Sequence, residues 1–117
     1  MIVDTVEDFE DILAAFDSHG VRYLIIGGLA VTFHSIPRYT KDIDIWLDPD
    51  PDNVDRANDA LKEFGSPHFL DPENPEEILQ LGLPPNRIDI LRSVEPVDFA
   101  HAWEKRIEGR YGEAKAW

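Results

Sequence analysis

The chain contains no cysteine in 117 residues, which excludes disulfides and thiolate metal ligation. It is also short of positive charge: 11 Lys and Arg face 24 Asp and Glu, for a net charge of −13. That balance disfavours non-specific nucleic-acid binding, which depends on basic side chains neutralising phosphates. It leaves room for a polynucleotide held by a local patch, a metal ion or a protein partner. Most of the acids are expected simply to solvate the surface. Long apolar runs are missing too, and none approaches the roughly 18 to 20 residues that span a bilayer. The acidic N-terminal stretch MIVDTVEDFED lacks the basic-then-apolar order of a secretory signal. No repeat or low-complexity tract is visible. A cytoplasmic protein without a membrane partner is the expectation.

What is present predicts a packed globule: 43% of residues are apolar and 10% aromatic,. The length suits a single domain over 1–117. Thr5 reads as a helix cap with acids in the first turn. Val6, Phe9, Ile12, Leu13 and Phe16 follow at helical spacing, and His19-Gly20 closes the helix. Residues 21–26 are a β-branched and aromatic run bounded by glycine, expected as a strand buried on both faces. Gly27-Gly28 ends it, and residues 29–35 have helical character until Ile36-Pro37 breaks them. A basic loop, Arg38-Tyr39-Thr40-Lys41, leads into a second strand over 42–47.

Further on, Asp52 is expected to cap a helix with Val54, Ala57, Leu61 and Phe64 on one face and Gly65 at its end. Residues 66–75 are proline-rich and irregular. Residues 77–81 and 87–91 read as two strands around the turn Gly82-Leu83-Pro84-Pro85-Asn86. A short helix over 75–81 competes, because Asn74-Pro75-Glu76 also resembles a helix start. A last helix opens at Val97 or Asp98 with Phe99, Ala102, Trp103 and Arg106 inward, and 110–117 begins a strand or hairpin. A chain that ends on Trp117, an apolar residue that wants burial, is expected to continue into a further segment.

Alternation along a strand puts Asp42, Asp44 and Trp46 on one face and Ile43, Ile45 and Leu47 on the other. The two carboxylates lie about 6.6 Å apart along the strand, at about 3.3 Å per residue. Their repulsion is on the order of 2.5 kcal/mol at an effective dielectric of about 20. A divalent cation with oxygen ligands, Mg²⁺ above all, offsets it. Arg87-Ile88-Asp89-Ile90-Leu91 repeats the pattern of an acid between isoleucines. If the two strands are neighbours, Asp42, Asp44 and Asp89 converge. Three carboxylates suffice for two metal ions in an in-line phosphoryl or nucleotidyl displacement, one of them also serving as base. Gly27-Gly28, between a strand and a helix start, offers backbone N–H groups to phosphate oxygens.

Each of these signals has a plainer reading. A D-x-D is commonly an exposed strand face, an acid among isoleucines an edge-strand charge, and Gly-Gly a tight turn. Arg38 and Lys41 contact phosphates or pair with the aspartates, with equal claim, and Thr40 can simply start the strand. Trp46 and Tyr39 are better placed in packing than on a base. His34, on the short helix beside Phe33, reads as a core or surface histidine rather than a catalytic one, and His68 and His101 show no ligand spacing.

The combination, in this order, resembles the nucleotidyltransferases of the DNA polymerase β-like superfamily, and within it the bacterial AbiEii-like branch. The residues that carry the resemblance are Gly27-Gly28, Arg38-x-Thr40-x-Asp42-Ile43-Asp44 and the Pro-Pro-x-Arg87-Ile88-Asp89 run. It covers residues 21–106. It implies an α/β (α+β) fold, a mixed β-sheet flanked by helices with the acids at one edge. It also implies transfer of a nucleoside monophosphate from a nucleoside triphosphate to a hydroxyl acceptor, with two Mg²⁺ ions or Mn²⁺ as cofactor. Asp42 and Asp44 would be metal ligands, and Asp89 the third carboxylate, holding the second metal and helping to deprotonate the acceptor. Gly27, Gly28, Arg38, Thr40 and Lys41 would form the nucleotide-binding segment. Where many superfamily members have Gly-Ser, Gly28 offers no hydroxyl. Acceptors among such proteins include tRNA ends, proteins and small molecules, and some are toxins with an antitoxin partner. The alternative is a non-catalytic module of the same fold, binding or antitoxin-like, that works through its acidic surface. A third is a structural domain whose aspartates pair with Arg38, Lys41 and Arg87.

Overall fold

The computed structural model describes residues 5–26, 42–83, 86–94, 97–106, 109–111 and 114–116, with side chains over 8–26, 43–82, 87–94 and 97–106. The glycine turn, the helix expected over 29–35 and the basic loop at 38–41 lie outside the described residues.

Helix α1 spans Thr5–Ser18, so Thr5 lies within the helix rather than capping it from outside. Its apolar stripe is realised, with Phe9, Ile12, Leu13 and Phe16 fully buried. Gly20 takes the left-handed conformation (φ 68°), and Val21 N–H closes back onto Phe16 O at 2.9 Å,. Strand β1 is Tyr23–Ile26, and β2 is Asp42–Leu47, the bounds its alternation predicts.

Helix α2 is Pro51–Phe64. Its N-cap is Asp50, not Asp52: the Asp50 carboxylate accepts the Asp52 N–H at 3.0 Å. Pro51 decides the matter, because a residue without an N–H and with φ already set fits the first helical position. At the other end Gly65 is left-handed (φ 91°) and donates to Leu61 O and Lys62 O.

Strand β3, Leu79–Leu83, and β4, Asn86–Leu91, form an antiparallel pair. The pairing starts two residues later than expected, and the competing helix over 75–81 does not form. Leu79 and Leu81 are both buried while Gln80 is exposed, a period of two rather than of 3.6. Helix α3, Phe99–Glu104, follows, and then β5, Gly109–Tyr111, and β6, Ala114–Ala116, form a separate antiparallel hairpin with β6 beside α1.

The main sheet runs β1-β2-β4-β3. The outer pairs are antiparallel and the central β2–β4 pair is parallel. The result is a compact α+β globule with three helices and a mixed four-stranded sheet among the described residues. One sheet face carries Tyr23, Ile25, Ile43, Ile45, Leu47, Leu81, Ile88 and Ile90 into a single core with α1 and α2. Fully burying an aliphatic side chain of this size contributes about 1.5–3 kcal/mol. No helix among the described residues is long and apolar enough to cross a membrane.

Two buried polar side chains that the sequence did not flag tie the frame together. Asn53, fully buried, accepts Arg22 N–H at 2.7 Å and donates to Arg22 O and Asp48 O at 3.0 and 2.9 Å. It thereby locks the start of β1 to the end of β2, where Arg22 and Asp48 also form an ion pair at 2.7 Å. Arg92, 4% exposed, donates to Asp71 O and Asn74 O at 2.6 Å each. Burial lowers the pKa of its guanidinium, opposed by Glu77 and Asp71. It fixes the irregular 71–74 segment to the end of β4.

A candidate acidic site on the second sheet face

The parallel register of β2 and β4 places Asp44 beside Asp89 and Asp42 beside Arg87. Paired residues on adjacent strands project from the same face. Asp44 and Asp89, 45 positions apart in the sequence, are therefore lateral neighbours on strands about 4.8 Å apart. Ile26 flanks Asp44 on β1, and Gln80 flanks Asp89 on β3. Two neighbouring carboxylates at that spacing repel by about 3 kcal/mol at an effective dielectric of about 20. Local propensity does not favour such a placement.

Asp89 is 8% exposed, and its Oδ1 is buried and accepts no hydrogen bond. Arg87 Nε lies 2.9 Å from that oxygen, but Nε likewise makes no hydrogen bond. The contact is one of charge without hydrogen-bond alignment. A buried acceptor left without an aligned hydrogen bond is costly, and here the Arg87 guanidinium supplies the opposing charge. Of the expected site residues, the structure brings Asp44 and Asp89 together and puts Asp42 at the next register position. The Asp42 side chain, Gly27, Gly28, Arg38, Thr40 and Lys41 lie outside the described residues. Among the described residues no three or more His, Cys, Asp or Glu side chains gather to hold a metal.

The other end of this face is aromatic. Trp46, paired with Leu24 and Leu91 across its neighbours, is 4% exposed and meets Phe99 edge-on at 5.1 Å. Phe99 in turn stacks on Trp103 at 5.9 Å. Trp46 is thus a packing residue, as its plainer reading held. Arg106, expected inward, is exposed, with its guanidinium 4.0 Å from the centre of the Trp103 ring. His68 and His101 are exposed. A groove between α1 and α2, lined by Asp11, Ala14, Ser18, Glu63 and Phe64 among others, lies on the helical side of the sheet and does not include the acidic pair. On that same side, burial pushes the Tyr23 phenol well above its ordinary pKa, with Asp17 adding to the shift.

Comparisons of the chain with protein-family models, with curated proteins and with solved structures find no match.

Proposed function

We propose that the protein is a metal-dependent nucleotidyltransferase. The observation that supports this most is the lateral pairing of Asp44 with Asp89 on parallel strands, with Asp89 Oδ1 buried and unbonded. In this reading Asp42, Asp44 and Asp89 hold Mg²⁺ or Mn²⁺. A divalent cation held there would supply charge neutralisation on the transferring phosphoryl group and acidify a hydroxyl near it. Gly27, Gly28, Arg38, Thr40 and Lys41 bind the triphosphate. The acceptor hydroxyl oxygen attacks the α-phosphorus, the bond to the β-phosphate oxygen breaks, and pyrophosphate leaves. Asp89 takes the proton of the acceptor hydroxyl, a role open to a carboxylate placed beside the reacting oxygen. The acceptor is an RNA end, a protein or a small molecule, and an antitoxin-like partner fits the same reading.

The Arg87–Asp89 contact favours a second reading, in which the acids are balanced internally and the domain serves as a non-catalytic binding module. Calorimetric titration of Mg²⁺ and each nucleoside triphosphate into wild type and Asp44→Ala separates the two. Binding by wild type that Asp44→Ala loses supports the enzyme. Absence of binding, or equal binding by both, removes it.

A further inference from the structure

Arg87 sits where three acidic positions meet. It is beside Asp42 in the β2–β4 register, diagonal to Asp44, and two residues before Asp89 on the same strand face,. Its Nε comes to 2.9 Å of Asp89 Oδ1, yet neither atom makes a hydrogen bond, so attraction of charge rather than directional bonding holds them. The two side chains differ in access. That of Asp89 is 11% exposed and that of Arg87 is 32% exposed, so the carboxylate is enclosed while the arginine side chain is partly open to water, its Nε buried.

We infer that Arg87 is a resident counter-cation of the acidic site, and that its guanidinium and a divalent cation are alternative partners of Asp89. The inference rests on the metal-site reading of Asp44 and Asp89 and adds a control to it. In the cation-free protein Arg87 offsets the crowded carboxylates. As the cation enters, Arg87 swings outward. Cation entry is thereby coupled to release of a group whose planar fork suits phosphate oxygens.

An arginine that only steadied β4 would leave cation affinity unchanged on removal, whereas a competitor raises it. Mg²⁺ is titrated calorimetrically into wild type, Arg87→Gln and Arg87→Gln/Asp89→Asn. The expected result is roughly tenfold tighter Mg²⁺ binding in Arg87→Gln, the size of effect one nearby charge has at high effective dielectric, and loss of that gain in the double variant. Unchanged or weaker binding in Arg87→Gln, with wild-type binding intact, overturns the competition and leaves the metal site standing. No Mg²⁺ binding in either protein overturns both. A second readout needs no variant: in ¹⁵N spectra of wild type, Mg²⁺ should shift the Arg87 Nε–H resonance and speed its exchange with water. A resonance that stays still while Mg²⁺ binds contradicts the inference.

Discussion

The two faces of the four-stranded sheet come from alternate residues of the same strands, but they are finished in opposite ways. On the α1/α2 side, Ile43, Ile45, Leu47, Ile88 and Ile90 are fully buried and form one continuous apolar core. On the other side the same strands present Asp44, Asp89 and Arg87 at one end and the smaller Leu24–Trp46–Phe99 cluster at the other. Stability is concentrated on the first face. The second carries an ion pair without hydrogen-bond alignment, Arg87–Asp89, and a buried Trp46 indole N–H without a hydrogen bond. A strand can serve both purposes because its side chains alternate, so substitutions one residue apart should report on different properties.

The largest effect is expected from the closed face. Ile45→Ala should lower unfolding free energy by about 3 kcal/mol, within the usual range for truncating a buried isoleucine, read from urea denaturation. Asn53→Ala comes next, at about 2 kcal/mol, because Arg22 N–H and Asp48 O lose the Asn53 amide inside the fold and Arg22 O keeps only the Asp48 N–H,. An effect below about 0.5 kcal/mol there would mean that the link between β1 and β2 is not what holds the edge strand.

Tyr23→Phe should differ from wild type in its pH dependence at high pH. The folded-state pKa of Tyr23 is raised above its ordinary value of 10.0 by burial. Its contribution is therefore intact below about pH 10 and lost as pH rises further, by up to about 1.4 kcal/mol per pH unit. Wild type should lose stability faster than Tyr23→Phe between pH 10 and 11, and parallel curves would contradict the assignment. The smallest stability change is expected from Asp44→Asn, within about 1 kcal/mol of wild type, since relief of carboxylate repulsion accompanies the change. A loss as large as that of Ile45→Ala would erase the contrast between the faces.

Much of the frame was legible because it depends on local pattern. The D-I-D-I-W-L alternation gave β2 its bounds, and Gly20 and Gly65 marked helix ends where only a left-handed residue fits. The pairing of Asp44 with Asp89 was legible only as a condition, because register between distant strands is set by packing across the whole sheet. Asn53 was missed for a related reason. An asparagine near a helix start suggests capping, and nothing nearby in sequence points to backbone groups at 22 and 48. Arg92 gave no signal either, since an arginine after a strand ordinarily faces water. Asp50 rather than the expected Asp52 caps α2 because Pro51, lacking an N–H and with φ preset, takes the first helical position,. The expected β3 began too early because Glu77 is taken up in a turn with Asn74, their backbone and side chains bonded at 3.1 Å.

The central claim is that the second face is built for binding rather than for stability. It is tested most directly by measuring both properties on one Asp89→Asn protein. The urea midpoint and the calorimetric titration of Mg²⁺ with nucleoside triphosphate are taken side by side with wild type. Arg87, a third exposed at its side chain, can turn to water when its partner charge is gone, so the midpoint should stay close to that of wild type while nucleotide binding disappears. Asp89→Asn protein that binds Mg²⁺ and nucleotide as wild type does would contradict the account.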